Sequence, residues 1–348
     1  MITKTPHKDL TPLNTFRMKV QCALYVEVTE EADIPALPWD SFPRPVMVMG
    51  GGSNLLFTAD FPGTVLHIAI GRGEQPDMVP GPDGEVLATV GAGTVFDDFC
   101  AWAAREGLWG PENLSLIPGE AGASAVQNIG AYGVEAKDII AGIRAWDCTE
   151  GRFVSIDPAT CGYGYRTSKF KTEWKGRYLI TAVTYRLSTL PQPKLDYGGV
   201  RKALEARGVA TPLAPLLIRE TIIGIRREKL PAVEEVGSAG SFFCNPVISR
   251  EHFNRIVDIA REDNGPDCLV PHFEVGDRIK VPAAWMIDQC GFKGKRLGGA
   301  QVYPEQPLVI VNASGEALPE EIIGLETEVI RAIEAKYGIT LHPEVEHI

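Results

Sequence analysis

The sequence predicts an α+β protein built from more than one domain. Short strand-like stretches, separated by many of the 36 glycines and 26 prolines, fill roughly the first 200 of the 348 residues. Longer amphipathic helical patterns follow beyond that point. A doubly wound parallel sheet requires regular alternation of strands and helices, which the first part lacks. The length exceeds what one small core accommodates, so we expect two or three packed domains.

Strand patterns dominate the first part of the chain. Alternating or β-branched apolar residues predict strands at VMVM (46–49), TVLHIAI (64–70), EVLATV (85–90) and RYLITAVTYRL (177–187). One helix is predicted over 96–106, with Thr94 as its N-cap and Gly107 at its end. The segment 188–199 contains two prolines and two glycines, which is typical of a linker or a mobile loop.

Three helices are predicted in the second part, and each has recognisable end signals. The pattern over 216–229 places isoleucines on one face and basic residues in the last turn. The helix over 250–262 begins after Ser249, a favourable N-cap residue. The helix over 319–338 has a proline in its first turn and a closing glycine.

Composition and charge exclude several classes of protein. The chain has 34 Lys and Arg against 45 Asp and Glu, a net charge of −11 that disfavours nucleic-acid binding through overall charge. It shows neither a signal-peptide pattern nor an apolar run of roughly 18 residues, as a membrane-spanning helix needs. Seven cysteines without a C-x-x-C pair, and six histidines without a zinc motif, argue against a disulfide framework or a metal centre. We therefore expect a cytoplasmic protein.

Two glycine clusters are the strongest candidates for a ligand site. VMVMGGGSNLLF (46–57) and IPGEAGASAVQNIGAYGVE (117–135) match neither the Rossmann fingerprint nor a P-loop. Glycine amides can nevertheless surround an anion such as a pyrophosphate, with Ser53, Asn54 and Asn128 as neutral donors. The alternative, ordinary tight turns in a sheet, stays open at this point.

Six motifs in order resemble one enzyme family. They are GGGSNLLF, IPGEAGASAVQNIGAYGVE, YGYRTSKFK (163–171), GSAGSFFCNP (237–246), AAWMIDQCGFKG (283–294) and HPEVE (342–346). With NTF (14–16) near the start, the chain resembles the UDP-N-acetylenolpyruvoylglucosamine reductase (MurB) family over nearly its whole length. Each motif is moderately specific, and all six at compatible spacing are strongly specific.

The resemblance implies a fold and a cofactor. It divides the chain into a two-subdomain FAD-binding unit of the vanillyl-alcohol-oxidase (PCMH) type, residues 1–72 and 73–205, and a C-terminal α/β substrate-binding domain, residues 206–348. FAD is expected to bind non-covalently, because neither glycine loop contains a histidine. The residues implied in cofactor binding are Gly50, Gly51, Gly52, Ser53, Asn54, Gly119, Gly122, Gln127, Asn128, Gly130, Tyr132 and Tyr165.

The implied reaction is the NADPH-dependent reduction of UDP-N-acetylglucosamine enolpyruvate to UDP-N-acetylmuramate through hydride transfer by FAD. This step belongs to peptidoglycan precursor synthesis, and hence to cell wall biogenesis, cell shape and cell division. NADPH would be a co-substrate, and we expect a monomer without nucleic-acid or membrane partners. Two alternatives stay open: another FAD-dependent oxidoreductase of this fold, or a catalytically silent UDP-sugar-binding protein.

Three catalytic residues follow from the resemblance. Arg166 matches the family arginine at the substrate carboxylate, which a guanidinium binds bidentately. Glu344 matches the glutamate that shares this role, and Ser241 matches the serine that protonates the neighbouring carbon. From the residues alone, we would interpret them as a surface arginine, a solvated glutamate and a serine in a glycine turn.

Substrate-binding residues also follow from it. Tyr197 resembles the mobile tyrosine of the loop-bearing subtype, and Lys229 would contact a phosphate or carboxylate. Asn245 and Gln289 would be polar substrate contacts, and Tyr165 would pack near the flavin or in the core.

The chain departs from the family pattern at two positions. Cys244 stands where the family usually has lysine, so a cation is missing close to Ser241. Glu346 stands where the family usually has arginine, which changes the surroundings of Glu344.

Overall fold

Short strands outnumber helices throughout the chain. The computed structural model describes residues 1–208 and 212–348. In these ranges the strands are β1 (Ile2–Asp9), β2 (Gln21–Val28), β3 (Val46–Val48), β4 (Leu55–Leu56), β5 (Phe61–Ile68), β6 (Asp77–Pro80), β7 (Glu85–Gly91), β8 (Gly130–Ala131), β9 (Val134–Glu135), β10 (Ile140–Asp147), β11 (Arg152–Ile156), β12 (Tyr178–Ser188), β13 (Gly237–Ser238), β14 (Val247–Ser249), β15 (Phe273–Val275), β16 (Arg278–Lys280), β17 (Arg296–Leu297), β18 (Ala300–Val302), β19 (Ile310–Asn312) and β20 (Glu346–His347). The helices are α1 (Phe96–Arg105), α2 (Ala121–Gln127), α3 (Val200–Ala206), α4 (Pro215–Lys229), α5 (Arg250–Asn264), α6 (Ala283–Gln289) and α7 (Pro319–Tyr337).

The chain divides into two units that each draw on separate stretches of sequence. Unit 1 contains Met1–Asp9, Gln21–Gly52 and Phe61–Glu228, and unit 2 contains Leu10–Val20, Ser53–Asp60 and Lys229–Ile348. The predicted division at residues 72 and 205 stays a prediction.

Unit 1 contains two larger sheets and the two-stranded β8–β9 hairpin. The first has the order β1-β2-β5-β3, in which β2 and β3 both run parallel to β5. The second is antiparallel throughout, with the order β11-β10-β12-β7-β6. This mixture of parallel and antiparallel strands with few helices agrees with the α+β prediction.

The main core of unit 1 joins strand and helix side chains. In α1 the positions Phe96, Phe99, Cys100 and Ala103 are buried, which is the spacing of one helical face. The Phe99 ring stacks on Tyr185 of β12 at 4.6 Å. The Tyr185 hydroxyl is satisfied by a 2.7 Å hydrogen bond to the Ser124 hydroxyl in α2, so this large side chain is buried without an unmet polar group.

Unit 2 is built around α7. This helix packs on β17, β18 and β19 of the antiparallel sheet β13-β19-β18-β17, and it also contacts α5 and α6. Its buried face carries Ile322, Leu325, Val329 and Ile333, the stripe that the sequence predicts. As predicted, a proline begins the helix, and Gly338 ends it in the left-handed conformation.

The predicted N-cap of α1 is wrong. Val95 occupies the N-cap position without a side-chain hydrogen bond, and the Thr94 hydroxyl donates instead to the Gly71 carbonyl at 3.0 Å. The short helices α2, α3 and α6 carry no sequence prediction, because seven residues give too few repeats for a periodic pattern. The segment 189–199 has neither helix nor strand, in line with the predicted loop.

The Ser249 N-cap provides a test of the helix assignment in unit 2. Its hydroxyl accepts a hydrogen bond from the His252 amide at 3.2 Å, as the sequence predicts. We expect Ser249→Ala to cost about 1 kcal/mol and to lower the melting temperature by a few degrees. Ser249→Asp should retain most of the stability in the same thermal unfolding measurement. Equal melting temperatures for Ser249→Ala and the unsubstituted chain would contradict this role.

Candidate active site

The two glycine clusters lie against each other in unit 1. A Cβ atom added to Gly51 would lie 3.4 Å from the Gly119 Cα, and one added to Gly50 would lie 3.1 Å from Glu120 Oε2. The two loops are therefore in close contact, and a side chain at Gly50 would press against the Glu120 carboxylate. This brings together two loops that are separated by about 70 residues of sequence.

A buried polar cluster holds Glu120 behind these loops. The His67 ring nitrogen Nε2 lies 2.9 Å from Glu120 Oε1, and the Arg72 guanidinium donates to the same oxygen at 2.7 Å. The other ring nitrogen of His67 is 2.7 Å from the Tyr25 hydroxyl. Glu120 and His67 are only 5% and 4% exposed. The Arg72 cation thus offsets a carboxylate that would otherwise repel an anion at Gly50.

Several predicted cofactor residues also have contacts or conformations that belong to the scaffold. Gly122 lets α2 approach the sheet, because an added Cβ would lie 2.9 Å from the Ala92 Cβ. Gln127 Oε1 accepts from the Lys171 ammonium at 2.6 Å. Gly52 adopts the left-handed conformation with φ +62°. Ser53 begins the adjoining stretch of unit 2.

The prediction that the Asn128 side chain donates to an anion is wrong. The residue is fully buried, and its amide donates to the Gly164 carbonyl at 2.8 Å and to Glu135 Oε2 at 3.2 Å. Its Oδ1 accepts from the Lys137 amide at 3.0 Å. Both N–H donors are thus used inside the protein, where they hold the β8–β9 hairpin next to residue 164.

Arg166 is held beside this hairpin. Its guanidinium donates to the Gly130 carbonyl at 2.6 Å, and a Cβ on Gly130 would lie 2.9 Å from the same group. The Arg166 guanidinium also lies 5.3 Å from the ring centre of Tyr165, an exposed residue. Arg166 has φ +56°, an uncommon conformation for a residue with a side chain. Such conformations often mark functional sites, because the surrounding structure must maintain them.

Sequence reasoning missed a set of charged residues on α4. Arg219 donates to both carboxylate oxygens of Asp97, at 2.5 and 2.9 Å. Burial raises the pKa of Asp97, but the hydrogen bonds from Arg219 and the Leu116 amide outweigh it and leave the pKa below the usual value. Arg226 donates to the Leu116 carbonyl at 3.2 Å, and burial lowers its pKa. Their spacing of seven residues, about two helical turns, could have predicted that the two arginines lie on the same face of α4.

In unit 2 the segments that carry Ser241 and Glu344 run side by side. The Glu344 amide donates to the Phe242 carbonyl at 2.8 Å, and the Cys244 amide donates to the His342 carbonyl at 2.9 Å. These bonds flank an antiparallel bridge between residues 243 and 343. Ser241 and Glu344, which are 103 positions apart in sequence, are thereby brought into neighbouring segments.

Asn54 connects the first glycine cluster to the C-terminal segment of unit 2. Its side-chain amide donates to the Glu344 carbonyl at 3.0 Å, and its own carbonyl accepts from the Glu346 amide at 3.0 Å. Strands β4 and β20 then continue this contact as a parallel pair. The predicted catalytic Glu344 is therefore fixed by the residue that directly follows the first glycine loop.

The remaining predicted substrate residues each have their own local contacts. Asn245 Oδ1 accepts from the Ala283 amide at 2.8 Å and so caps the start of α6. Gln289 Oε1 accepts from the Asn264 amide at 2.9 Å. Lys229 is exposed at the end of α4. Tyr197 lies against the β8–β9 hairpin, where its Cβ is 3.2 Å from the position that a Cβ on Gly133 would take.

Comparison with known proteins decides the family. UDP-N-acetylenolpyruvoylglucosamine reductase of Bacteroides fragilis is 44% identical over 338 residues, which cover 96% of this chain and 97% of that protein. The chain belongs to this family. The enzyme of Porphyromonas gingivalis is 41% identical over 342 residues, 97% of each chain.

Domain comparisons agree with the family. A model of the C-terminal domain of UDP-N-acetylenolpyruvoylglucosamine reductase matches residues 231–348, and a model of an FAD-binding domain matches residues 23–157. The crystal structure of UDP-N-acetylenolpyruvylglucosamine reductase (MurB) from Thermus caldophilus has the same fold. It superimposes with a TM-score of 0.65 at 22% identity and covers 100% of this chain and 98% of that one.

These findings confirm the predicted family, the α+β fold and the FAD cofactor. The glycine-lined contact of residues 50–51 with 119–120 fits a cofactor whose pyrophosphate needs close backbone approach. Residues 1–208 and 212–348 contain no helix that is both long and apolar enough to cross a membrane, and no cluster of side chains suited to a metal ion.

The contact between His347 and Glu326 makes the stability of unit 2 sensitive to pH. The His347 Nε2 atom lies 3.1 Å from the buried Glu326 carboxylate, and this interaction raises the pKa of His347 above its usual value. The stabilising contribution is therefore full below the unfolded-state pKa of about 6.5, and it is lost as pH rises through the raised folded-state pKa. We expect the melting temperatures of the unsubstituted chain and of Glu326→Gln to differ at about pH 6 and to converge as pH rises through that folded-state pKa.

His342→Gln, at an exposed position in the same segment, is the matched control and should keep the pH dependence. A melting-temperature difference between Glu326→Gln and the unsubstituted chain that stays constant with pH would show that the pair does not titrate in this range.

Proposed function

We propose that the chain reduces UDP-N-acetylglucosamine enolpyruvate to UDP-N-acetylmuramate with NADPH, as a flavoenzyme of peptidoglycan precursor synthesis. The structural observation that carries this proposal is the pairing of the Ser241 and Glu344 segments through the bond from the Glu344 amide to the Phe242 carbonyl. Identity to the reductase family over almost the entire length supports the same reaction.

The residues of the chain have separate tasks in this reaction. Bound FAD supplies the capacity to accept a hydride from NADPH and to donate one to the enolpyruvyl group. Arg166 binds the substrate carboxylate, where a permanent cation stabilises the charge that develops as the double bond is reduced. Ser241 donates the proton to the adjacent carbon, and Glu344 acts with Arg166 at the carboxylate.

Other parts of the site have supporting tasks. Gly50, Gly51 and Gly119 line the pyrophosphate of FAD, with Gly52, Ser53, Gly130, Tyr132 and Tyr165 around the cofactor. Tyr197 and Lys229 contact the substrate diphosphate, and the loop position of Tyr197 supports assignment to the loop-bearing subtype. Asn245 and Gln289 contribute polar substrate contacts. The enzyme acts in the cytoplasm as a monomer, without nucleic-acid or membrane partners.

The function is tested in two half-reactions under anaerobic conditions. NADPH should bleach the flavin absorbance of the reconstituted enzyme, and the enolpyruvyl UDP-sugar should restore it. Ser241→Ala should leave bleaching by NADPH unchanged and slow the restoration by about 100- to 10,000-fold, because one positioned proton donor is removed.

Ser249→Ala is the control, since it removes a helix cap and no proposed catalytic group. An equal loss in both half-reactions of Ser241→Ala would remove the proton-donor role. Flavin that is bleached by NADPH but is never restored by the UDP-sugar would indicate a different oxidoreductase of the same fold. A protein that cannot be reconstituted with FAD would favour a silent binding protein.

A further inference from the structure

A short segment near the start of the chain belongs to the core of unit 2. Leu10–Val20 is part of that unit, whereas the stretches directly before and after it belong to unit 1. The motif NTF (14–16) lies within this segment and has no task in the proposed reaction. Its last residue, Phe16, is 0% exposed, so the motif has packing partners inside unit 2.

Asn14 fixes the shape of this segment. Its side-chain amide donates to the Leu10 carbonyl at 2.8 Å and to the Met18 carbonyl at 3.1 Å. Its Oδ1 accepts from the Met18 amide at 2.9 Å. The residue is buried, so these hydrogen bonds are shielded from competing water. The carbonyl groups of the next two residues, Thr15 and Phe16, are thereby held in place.

These two carbonyl groups contact the chain shortly before Ser241. The Thr15 carbonyl accepts a hydrogen bond from the Ser238 amide at 2.9 Å. A Cβ on Gly237 would lie 2.3 Å from the Phe16 carbonyl oxygen, so a larger residue would collide with the backbone there. Strand β13 is thus fixed against the NTF motif, and it ends three residues before Ser241.

The Phe16 ring contacts the residue that directly follows Ser241. It meets the Phe242 ring edge-on, with 6.2 Å between the ring centres. Phe242 is fully buried, and its amide donates to the Leu308 carbonyl at 2.8 Å. Its own carbonyl accepts from the Glu344 amide. Ser241 therefore directly precedes a residue that is fixed through both its ring and its backbone.

We propose that Phe16 is a positioning residue for the proton donor Ser241. With Thr15 it holds both ends of the three-residue loop 239–241, which limits the positions that the Ser241 hydroxyl can take. The proposal rests on the proposed function, which assigns the proton transfer to Ser241. A misplacement of about 1 Å in a reacting group can cost about 100-fold in rate, so the support of this loop matters to the reaction.

The proton transfer defines which step Phe16 influences. The Ser241 O–H bond breaks while a C–H bond forms at the carbon next to the substrate carboxylate. The electron pair for the new bond is the one that hydride addition to the neighbouring carbon leaves there, and water returns a proton to the serine. Bleaching of the flavin by NADPH requires no such proton donor, so Phe16 is expected to act on the second half-reaction alone.

Unit 2 offers a matched pair of buried phenylalanines. Phe253 in α5 is 7% exposed and packs on the His272 ring, with 4.6 Å between the ring centres. Its helix packs mainly on β14, β16 and α7. Phe16→Leu and Phe253→Leu each remove one ring from the core of the same unit, and both should lower the melting temperature. Any excess effect of Phe16→Leu on the reaction therefore reports on the loop that carries Ser241.

Two measurements on the FAD-loaded enzyme test the proposal. Without substrate, amide hydrogen exchange at residues 238–242 should be about tenfold faster in Phe16→Leu than in Phe253→Leu, because the loop has lost a support. In the anaerobic second half-reaction, Phe16→Leu should lower the maximal rate of flavin restoration at least about tenfold relative to Phe253→Leu. The UDP-sugar concentration at half-maximal rate should stay the same, since the lost geometry concerns the proton donor.

A double substitution separates positioning of Ser241 from a general structural role. If Phe16 acts through Ser241, then adding Phe16→Leu to Ser241→Ala should slow restoration by no more than about twofold beyond the effect of adding Phe253→Leu. A full tenfold slowing on top of Ser241→Ala would overturn the positioning role, and so would faster exchange without slower restoration.

Equal exchange rates at residues 238–242 in Phe16→Leu and Phe253→Leu would overturn the support of the loop itself. If Phe16→Leu does not fold, Phe16→Met and Phe253→Met are compared in the same measurements, because a flexible methionine fills more of the vacated space. Absence of turnover in the unsubstituted enzyme would instead reject the proposed function.

Discussion

The packing of the two glycine loops at Gly50 and Gly51 is the constraint on which the rest of the flavin-binding unit depends. A Cβ atom at Gly51 would already touch the Gly119 Cα at 3.4 Å, and one at Gly50 would press on the Glu120 carboxylate at 3.1 Å. The consequence is that a carboxylate is buried directly beside a glycine loop. The His67 and Arg72 contacts to Glu120 then become a requirement, because an uncompensated buried charge costs several kcal/mol.

Charge pairing also explains how a chain of net charge −11 can hold anionic nucleotides. Arg72 and Arg219 donate to the carboxylates of Glu120 and Asp97, so their charges are largely offset within the protein. Arg226 donates to the Leu116 carbonyl, and burial lowers its pKa, whereas the Tyr132 hydroxyl and the charge of Asp97 act in the opposite direction. The Asp97 carboxylate already pairs with Arg219, so a bound phosphate or carboxylate group would stabilise the Arg226 charge further.

Sequence patterns predicted those features that depend on local periodicity or on single end residues. The α5 cap at Ser249 and the α7 glycine stop are of this kind, and both depend on residues within one turn of the helix. The Thr94 prediction is wrong because a tertiary partner, the Gly71 carbonyl, competes for the same hydroxyl. The hydrogen-bond partners of Asn113 and Asn54 could not be predicted from the sequence, because they lie up to 290 positions away. The resemblance includes Asn54 among the cofactor residues, and its hydrogen bond to the Glu344 carbonyl was not predicted.

The structure also limits what the missing lysine at position 244 can change. The segment around Cys244 is held by its own amide on the His342 carbonyl and by the Glu344 amide on the Phe242 carbonyl, and neither bond involves the side chain at 244. Replacement of lysine by cysteine therefore removes a cation without removing the pairing that positions Glu344. The backbone at Glu346 is likewise held by hydrogen bonding, because its amide donates to the Asn54 carbonyl. The neighbouring His347 contacts Glu326. The two backbone bonds that pair these segments do not depend on which side chain stands at position 244, so the departure from the family pattern there changes a charge while these bonds can still form.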